Sequence, residues 1–139
     1  EGYVKMEKAS IAGSVAAGFP SPAEQYLEPP LDLNAFLVKR PAATYFVRVK
    51  GDSMEGRGIR DGDLLVVDRS LDACDGDVII AAVDGEFTVK TICFDSGRPG
   101  EVRLRAANPK YPDIVLKPGQ ELNCFGKVTA CIPKFTRGA

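Results

Sequence analysis

A chain of 139 residues, 45% apolar and 27% charged, has the length and composition of one globular domain with a real core, and is short for two. Its net charge of −1 gives no global case for binding nucleic acid or a membrane surface. No apolar run approaches the ~20 residues of a membrane-spanning helix.

Residues 1–30 are rich in Ala, Gly, Ser and Pro, and Pro20, Pro22, Pro29 and Pro30 block regular structure. They read as an extended N-terminal arm, with a plain disordered tail as the alternative. Residues 31–139 read as the folded domain. It opens with Asp32-Leu33-Asn34-Ala35-Phe36-Leu37 and is halted at Pro41. Asp32 can cap a helix whose Leu33, Phe36 and Leu37 share one face, so the spacing predicts a helix of two turns.

From residue 44 the pattern is β. Thr44–Val49, Asp63–Asp68 and Asp77–Val83 are runs of β-branched, aromatic and aliphatic residues bounded by turn residues. Asp84-Gly85 is a strong two-residue hairpin signal and leads into Glu86–Phe94. Further strands are predicted at Val102–Ala106, Ile114–Leu116 and Leu122–Ile132. Many short strands separated by Gly and Pro turns imply a mainly β fold, a curled antiparallel sheet or partly closed barrel with one short helix.

The absence of histidine narrows the chemistry. A serine nucleophile would need another base, and lysine is the known substitute in Ser–Lys pairs. A catalytic cysteine would lack its usual histidine. Cys74, Cys93, Cys124 and Cys131 form no CxxC pair, so neither a metal nor any other cofactor is expected, and reduced thiols fit best. Ser53 lies in Gly51-Asp52-Ser53-Met54 just after a predicted strand. A glycine-containing bend there can expose the hydroxyl and leave backbone N–H groups free for an oxyanion; by itself a Gly-x-Ser in a turn is usually a turn. Lys90 ends Glu86-Phe87-Thr88-Val89-Lys90. Strand alternation puts it on the face of Glu86, Thr88 and Ile92, where a lysine is normally solvated and charged. It could serve as a base only if burial lowered its pKa from ~10.4.

Three groups of motifs carry a resemblance: Gly18-Phe19-Pro20-Ser21-Pro22-Ala23 with Asp32-Leu33-Asn34 and Ala43-Thr44-Tyr45-Phe46-Val47; Gly51-Asp52-Ser53-Met54 with Asp61-Gly62-Asp63-Leu64-Leu65; and Ile80-Ala81-Ala82-Val83-Asp84-Gly85-Glu86-Phe87-Thr88-Val89-Lys90. They resemble the UmuD-like SOS mutagenesis proteins of the LexA-like Ser–Lys self-cleaving peptidase family. The likeness runs over roughly residues 17–132 and is densest between 43 and 90. It implies that Ser53 attacks a peptide bond in the chain's own arm and that Lys90 takes the serine proton. Ala17-Gly18 stands where the family's scissile bond is cut. Small residues there suit a narrow cleft, and Gly18 allows close backbone approach. The backbone amides of Asp52 and Ser53 are the expected oxyanion hole. Met54 either shapes the substrate cleft or fills the core.

The resemblance also implies partners. The RecA–single-stranded-DNA filament would trigger cleavage, and the cleaved product, as a homodimer in the cytoplasm, would serve a UmuC-type error-prone DNA polymerase as accessory subunit. No direct DNA binding and no membrane association are expected. Three other readings stand beside it. A non-catalytic polymerase-binding module needs no dyad in its mature form. The regulatory domain of a LexA-like or phage-type repressor would need a helix-turn-helix before the cleavage site. The residues ahead of Gly18 are too few for one, although the sequence starts at Glu1 rather than Met and an upstream segment is left open. A signal peptidase shares the chemistry but needs a membrane anchor.

Overall fold

The computed structural model describes residues 26–94, 97–98, 100–117 and 119–134. The chain divides between Phe36 and Leu37 into two compact units.

Helix α1 is Leu33–Leu37. Asp32 caps it as expected, accepting from the Ala35 amide at 3.2 Å. It is shorter than the two turns predicted. The residue before a proline is disfavoured in helical geometry, and Arg40, at φ −132° and ψ 87°, has already left it. Leu33 and Phe36 remain more than half exposed, so the expected apolar face is not buried among the described residues.

A 3-10 turn, Pro41–Ala43, leads into β1, Thr44–Arg48. The strands that follow are β2 (Leu64–Asp68), β3 (Val78–Val83), β4 (Glu86–Phe94), β5 (Val102–Arg105), β6 (Ile114–Leu116) and β7 (Leu122–Ile132). Each predicted strand forms, within one residue at either end. They make one antiparallel sheet in the order β1-β2-β7-β3-β4-β5-β6. The sheet is curled rather than closed, since β1 and β6 are its edges. Asp84 (φ 49°) and Gly85 (φ 87°) both take left-handed geometry. That is the hairpin the Asp-Gly signal calls for, with Val83 opposite Glu86.

The core sits on both faces of the central strands. Val78 and Ile80 of β3 join Met54, Ile59, Leu65 and Val67 in one cluster. Their neighbours Ile79 and Ala81 join Ile92 and Leu104 in another. This is the alternation of a strand covered on both sides. Strand β7 lies between β2 and β3 and carries two irregularities, one of which leaves Phe125 unpaired between Cys124 and Gly126. No helix among the described residues is long and apolar enough to cross a membrane.

Candidate active site

The loop after β1 is shaped by its glycines and by one methionine. Gly51 (φ 91°) turns the chain out of the strand, and Gly58 (φ 78°) closes the 3-10 turn Glu55–Arg57. The Gly51 amide donates to Asp61 Oδ1 at 2.8 Å. Met54, only 2% exposed, packs among Ile59, Leu65 and Val67 and also borders the cleft. The burial fits the core-filling reading of Met54. Its burial anchors the loop and leaves Ser53, one residue before it, half-buried at the cleft wall.

Lys90 stands in the middle of β4, and here the expectation of a solvated lysine fails. The residue is 8% exposed. Its Nζ lies 3.2 Å from Ser53 Oγ, 2.6 Å from Thr88 Oγ1 and 3.1 Å from the Val89 carbonyl oxygen. Burial pulls its pKa below the ordinary lysine value. Among the described residues no carboxylate pairs with the ammonium. A neutral amine has two N–H donors and one lone pair. Thr88 Oγ1 and the Val89 carbonyl can accept the two donors, which leaves the lone pair for the Ser53 hydroxyl. The three oxygens can satisfy either the ammonium or the neutral amine, so it is burial that disfavours the charged form.

A second loop, between β5 and β6, grips the Ser53 loop. The Ala107 amide donates to the Ser53 carbonyl at 2.7 Å, and the Gly56 amide donates to the Ala107 carbonyl at 2.7 Å. Asn108 Nδ2 donates to the Asp52 carbonyl at 2.9 Å. The Asp52 carboxylate takes Tyr111 OH on Oδ1 and Lys110 Nζ on Oδ2, the latter at 3.0 Å. Those two bonds, Tyr111 first, hold the Asp52 carboxyl below its usual range. Sequence reasoning missed Asn108, Lys110 and Tyr111. Asn108-Pro109 reads only as a turn signal, and nothing local ties it to a loop more than fifty residues earlier.

Ser53 opens onto a cleft of about 730 Å³ whose walls include Tyr45, Val47, Val89 and the rings of Phe87 and Phe125. The two phenylalanine rings meet at 5.1 Å and 46°, a favoured tilted arrangement. Phe125 reaches the cleft because it is the unpaired residue in β7, a common use of a bulge beside a site. Its carbonyl accepts Tyr45 OH at 2.7 Å. Among the described residues no hydrogen bond occupies the amide of Ser53, while the Asp52 amide donates to its own carboxylate. No group of His, Cys, Asp and Glu among them has a metal-holding arrangement. Ala17 and Gly18 lie outside the described residues.

Comparison with known proteins gives the family. A family model described as Peptidase S24-like matches residues 10–129. The chain is 52% identical to Protein SamA of Salmonella typhimurium over 118 residues, 85% of this chain and 79% of that protein. It is 44% identical to Protein MucA of Escherichia coli over 116 residues, 83% of this chain and 77% of that protein. It is 57% identical to Protein ImpA of Shigella flexneri over 82 residues, 59% of this chain and 57% of that protein. A serine and a buried lysine in hydrogen-bond contact, the lysine's pKa pulled down by burial, in a chain without histidine, fit this peptidase chemistry. The chain belongs to the Peptidase S24-like family, among the UmuD-like self-cleaving serine peptidases of SOS mutagenesis.

Proposed function

We propose that Ser53 is the nucleophile, Lys90 the general base and Ala17-Gly18 the bond that is cut, with residues 1–30 serving as the arm and 31–139 as the peptidase domain. One observation carries the reading: the buried Lys90 Nζ sits 3.2 Å from Ser53 Oγ with its pKa lowered. Neutral Lys90 accepts the hydroxyl proton as Ser53 Oγ attacks the Ala17 carbonyl carbon. The tetrahedral oxyanion is held by the amides of Asp52 and Ser53. When it collapses, the C–N bond breaks and the Lys90 ammonium returns its proton to the Gly18 amine. Water, deprotonated by neutral Lys90, then hydrolyses the acyl-enzyme at Ala17. Presentation of the chain's own arm supplies effective concentration, so a deep specificity pocket is not needed. Basal cleavage is slow in proportion to the fraction of molecules with the arm docked and Lys90 uncharged.

The UmuD-like membership supports the wider role. Cleavage is promoted by the RecA–single-stranded-DNA filament. The product beginning at Gly18 works as a homodimer in the cytoplasm, as accessory subunit of a UmuC-type translesion polymerase, without binding DNA or a membrane itself.

The test is intact mass over time at about pH 10, near the ordinary lysine pKa of ~10.4, beside Ser53→Ala and Lys90→Ala. The parent yields a species beginning at Gly18, faster as pH rises from neutral, and both variants stay whole. Cleavage of either variant at the parent's rate refutes the dyad. No cleavage in the parent even with RecA filament added leaves a module that works by binding alone.

A further inference from the structure

Two of the bonds that hold the Ser53 loop from the β5–β6 side fall on the carbonyls of Asp52 and Ser53, the first of which also accepts the Glu55 amide at 3.3 Å, and a peptide unit is planar. The Asp52 carbonyl and the Ser53 N–H belong to one such plane and point opposite ways. Fixing the carbonyl therefore fixes the direction of the N–H. Asn108 Nδ2 donates to that carbonyl at 2.9 Å. The Asn108 side chain is itself oriented, because its Oδ1 accepts the Lys110 amide at 3.0 Å, which leaves Nδ2 as the donor. The next peptide is fixed in the same way by the Ala107 amide on the Ser53 carbonyl, a 2.7 Å bond. Lys110 and Tyr111 add grips on the Asp52 carboxylate. Both are exposed side chains, and such surface contacts hold weakly. The half-buried Asn108 is the side chain that acts on the peptide itself.

We propose that Asn108 is a positioning residue for self-cleavage: its side-chain amide locks the Asp52–Ser53 peptide so that the Ser53 N–H is preset toward the oxyanion. This rests on the reading of Ser53 and Lys90 as the dyad. Removing an oxyanion donor outright slows a peptidase by about a hundred- to a thousandfold. Here the donor stays but loses its fixed direction, so the loss is roughly ten- to a hundredfold.

The experiment follows first-order self-cleavage by intact mass across pH for the parent, Asn108→Ala, Asn108→Asp and Ser53→Ala. Each is measured at a temperature where its circular dichroism shows it fully folded. Asn108→Asp keeps the shape and the acceptor for the Lys110 amide, and it sets a carboxylate against the Asp52 carbonyl; it covers the case in which the alanine variant does not fold. The expected result is a plateau rate lowered roughly ten- to a hundredfold in the folded Asn108 variants, with an unchanged pH midpoint in Asn108→Ala; the added carboxylate of Asn108→Asp favours the Lys90 ammonium and moves its midpoint up, so that variant is judged on its plateau. A merely structural asparagine would lower the melting temperature and leave the rate per folded molecule alone. Parent rates in the folded Asn108 variants, or a loss due wholly to a shifted pH midpoint, overturn the proposal. Should Ser53→Ala also cleave at the parent's rate, the dyad reading falls instead.

Discussion

Gly56 lies where two backbones approach too closely for a side chain. A Cβ built there would stand 2.6 Å from the Ala107 carbonyl oxygen and 3.3 Å from both the Ala107 carbonyl carbon and Cβ. Gly56→Ala must therefore push the β5–β6 loop back by about 0.8 Å to restore an ordinary contact of 3.4 Å. The clashing atom is backbone, so no flexible side chain can yield. The same carbonyl accepts the Gly56 amide at 2.7 Å, and the Ala107 amide holds the Ser53 carbonyl at 2.7 Å, so the retreat strains both bonds. Two weakened hydrogen bonds cost about 0.5–1.5 kcal/mol each. Overpacking adds roughly 1–3 kcal/mol, and the stiffer unfolded chain returns about 0.4–1 kcal/mol. The net loss is roughly 1–5.5 kcal/mol, about 4–20 °C in melting temperature for a domain of this size. Thermal unfolding followed by circular dichroism reads the stability, and intact mass reads self-cleavage, which slows as the Ser53 loop moves. Ala107→Gly in the same chain does not rescue, because the closest clash is with the carbonyl. A parent-like melting temperature with a parent-like cleavage rate, or full rescue by Ala107→Gly, refutes this account of the clamp.

Two further outcomes follow from buried groups. Lys90→Met abolishes cleavage and removes a buried amine whose folded pKa lies below the ordinary 10.5. Between those two pKa values the unfolded parent binds more protons than the folded one, so this group makes the parent more stable as pH rises through that window. The stability of Lys90→Met relative to the parent therefore declines from neutral pH to about 10.5, measured by urea unfolding, and a difference that stays flat contradicts the burial argument. The trend carries the prediction rather than the absolute difference, since methionine also strips Thr88 Oγ1 and the Val89 carbonyl of their donor. Cys131 is held as a thiol by burial and by the neighbouring Asp63 carboxylate, which push its pKa up to about 11. At pH 8 roughly one molecule in a thousand carries its reactive thiolate. Iodoacetamide followed by peptide mass mapping modifies the exposed Cys74 and Cys124 well before Cys131; equal rates contradict this.

Much of the fold was legible because its signals are local. Apolar and β-branched runs bounded by turn residues marked the seven strands of the described residues, Asp84-Gly85 marked the hairpin that delivers Lys90, and Asp32 marked the helix start. The helix ends at Leu37, ahead of the stop at Pro41 that the sequence signals, and its Leu33 and Phe36 stay exposed, so no buried face extends it. Ser53 and Lys90 could be singled out from motif resemblance and the missing histidine, yet strand alternation alone left the lysine in water. The chain by itself thus determined the elements and their turns, since these depend on neighbours a few residues apart, while the candidate dyad came from the motif resemblance. Only the tertiary structure decided that β7 runs between β2 and β3, that Lys90 is buried against Ser53, that a bulge turns Phe125 into the cleft, and that Asn108 grips the Asp52 carbonyl. Each of these joins residues far apart in sequence. Burial and hydrogen-bond partners at such range depend on how the sheet pairs and curls, which no local pattern encodes.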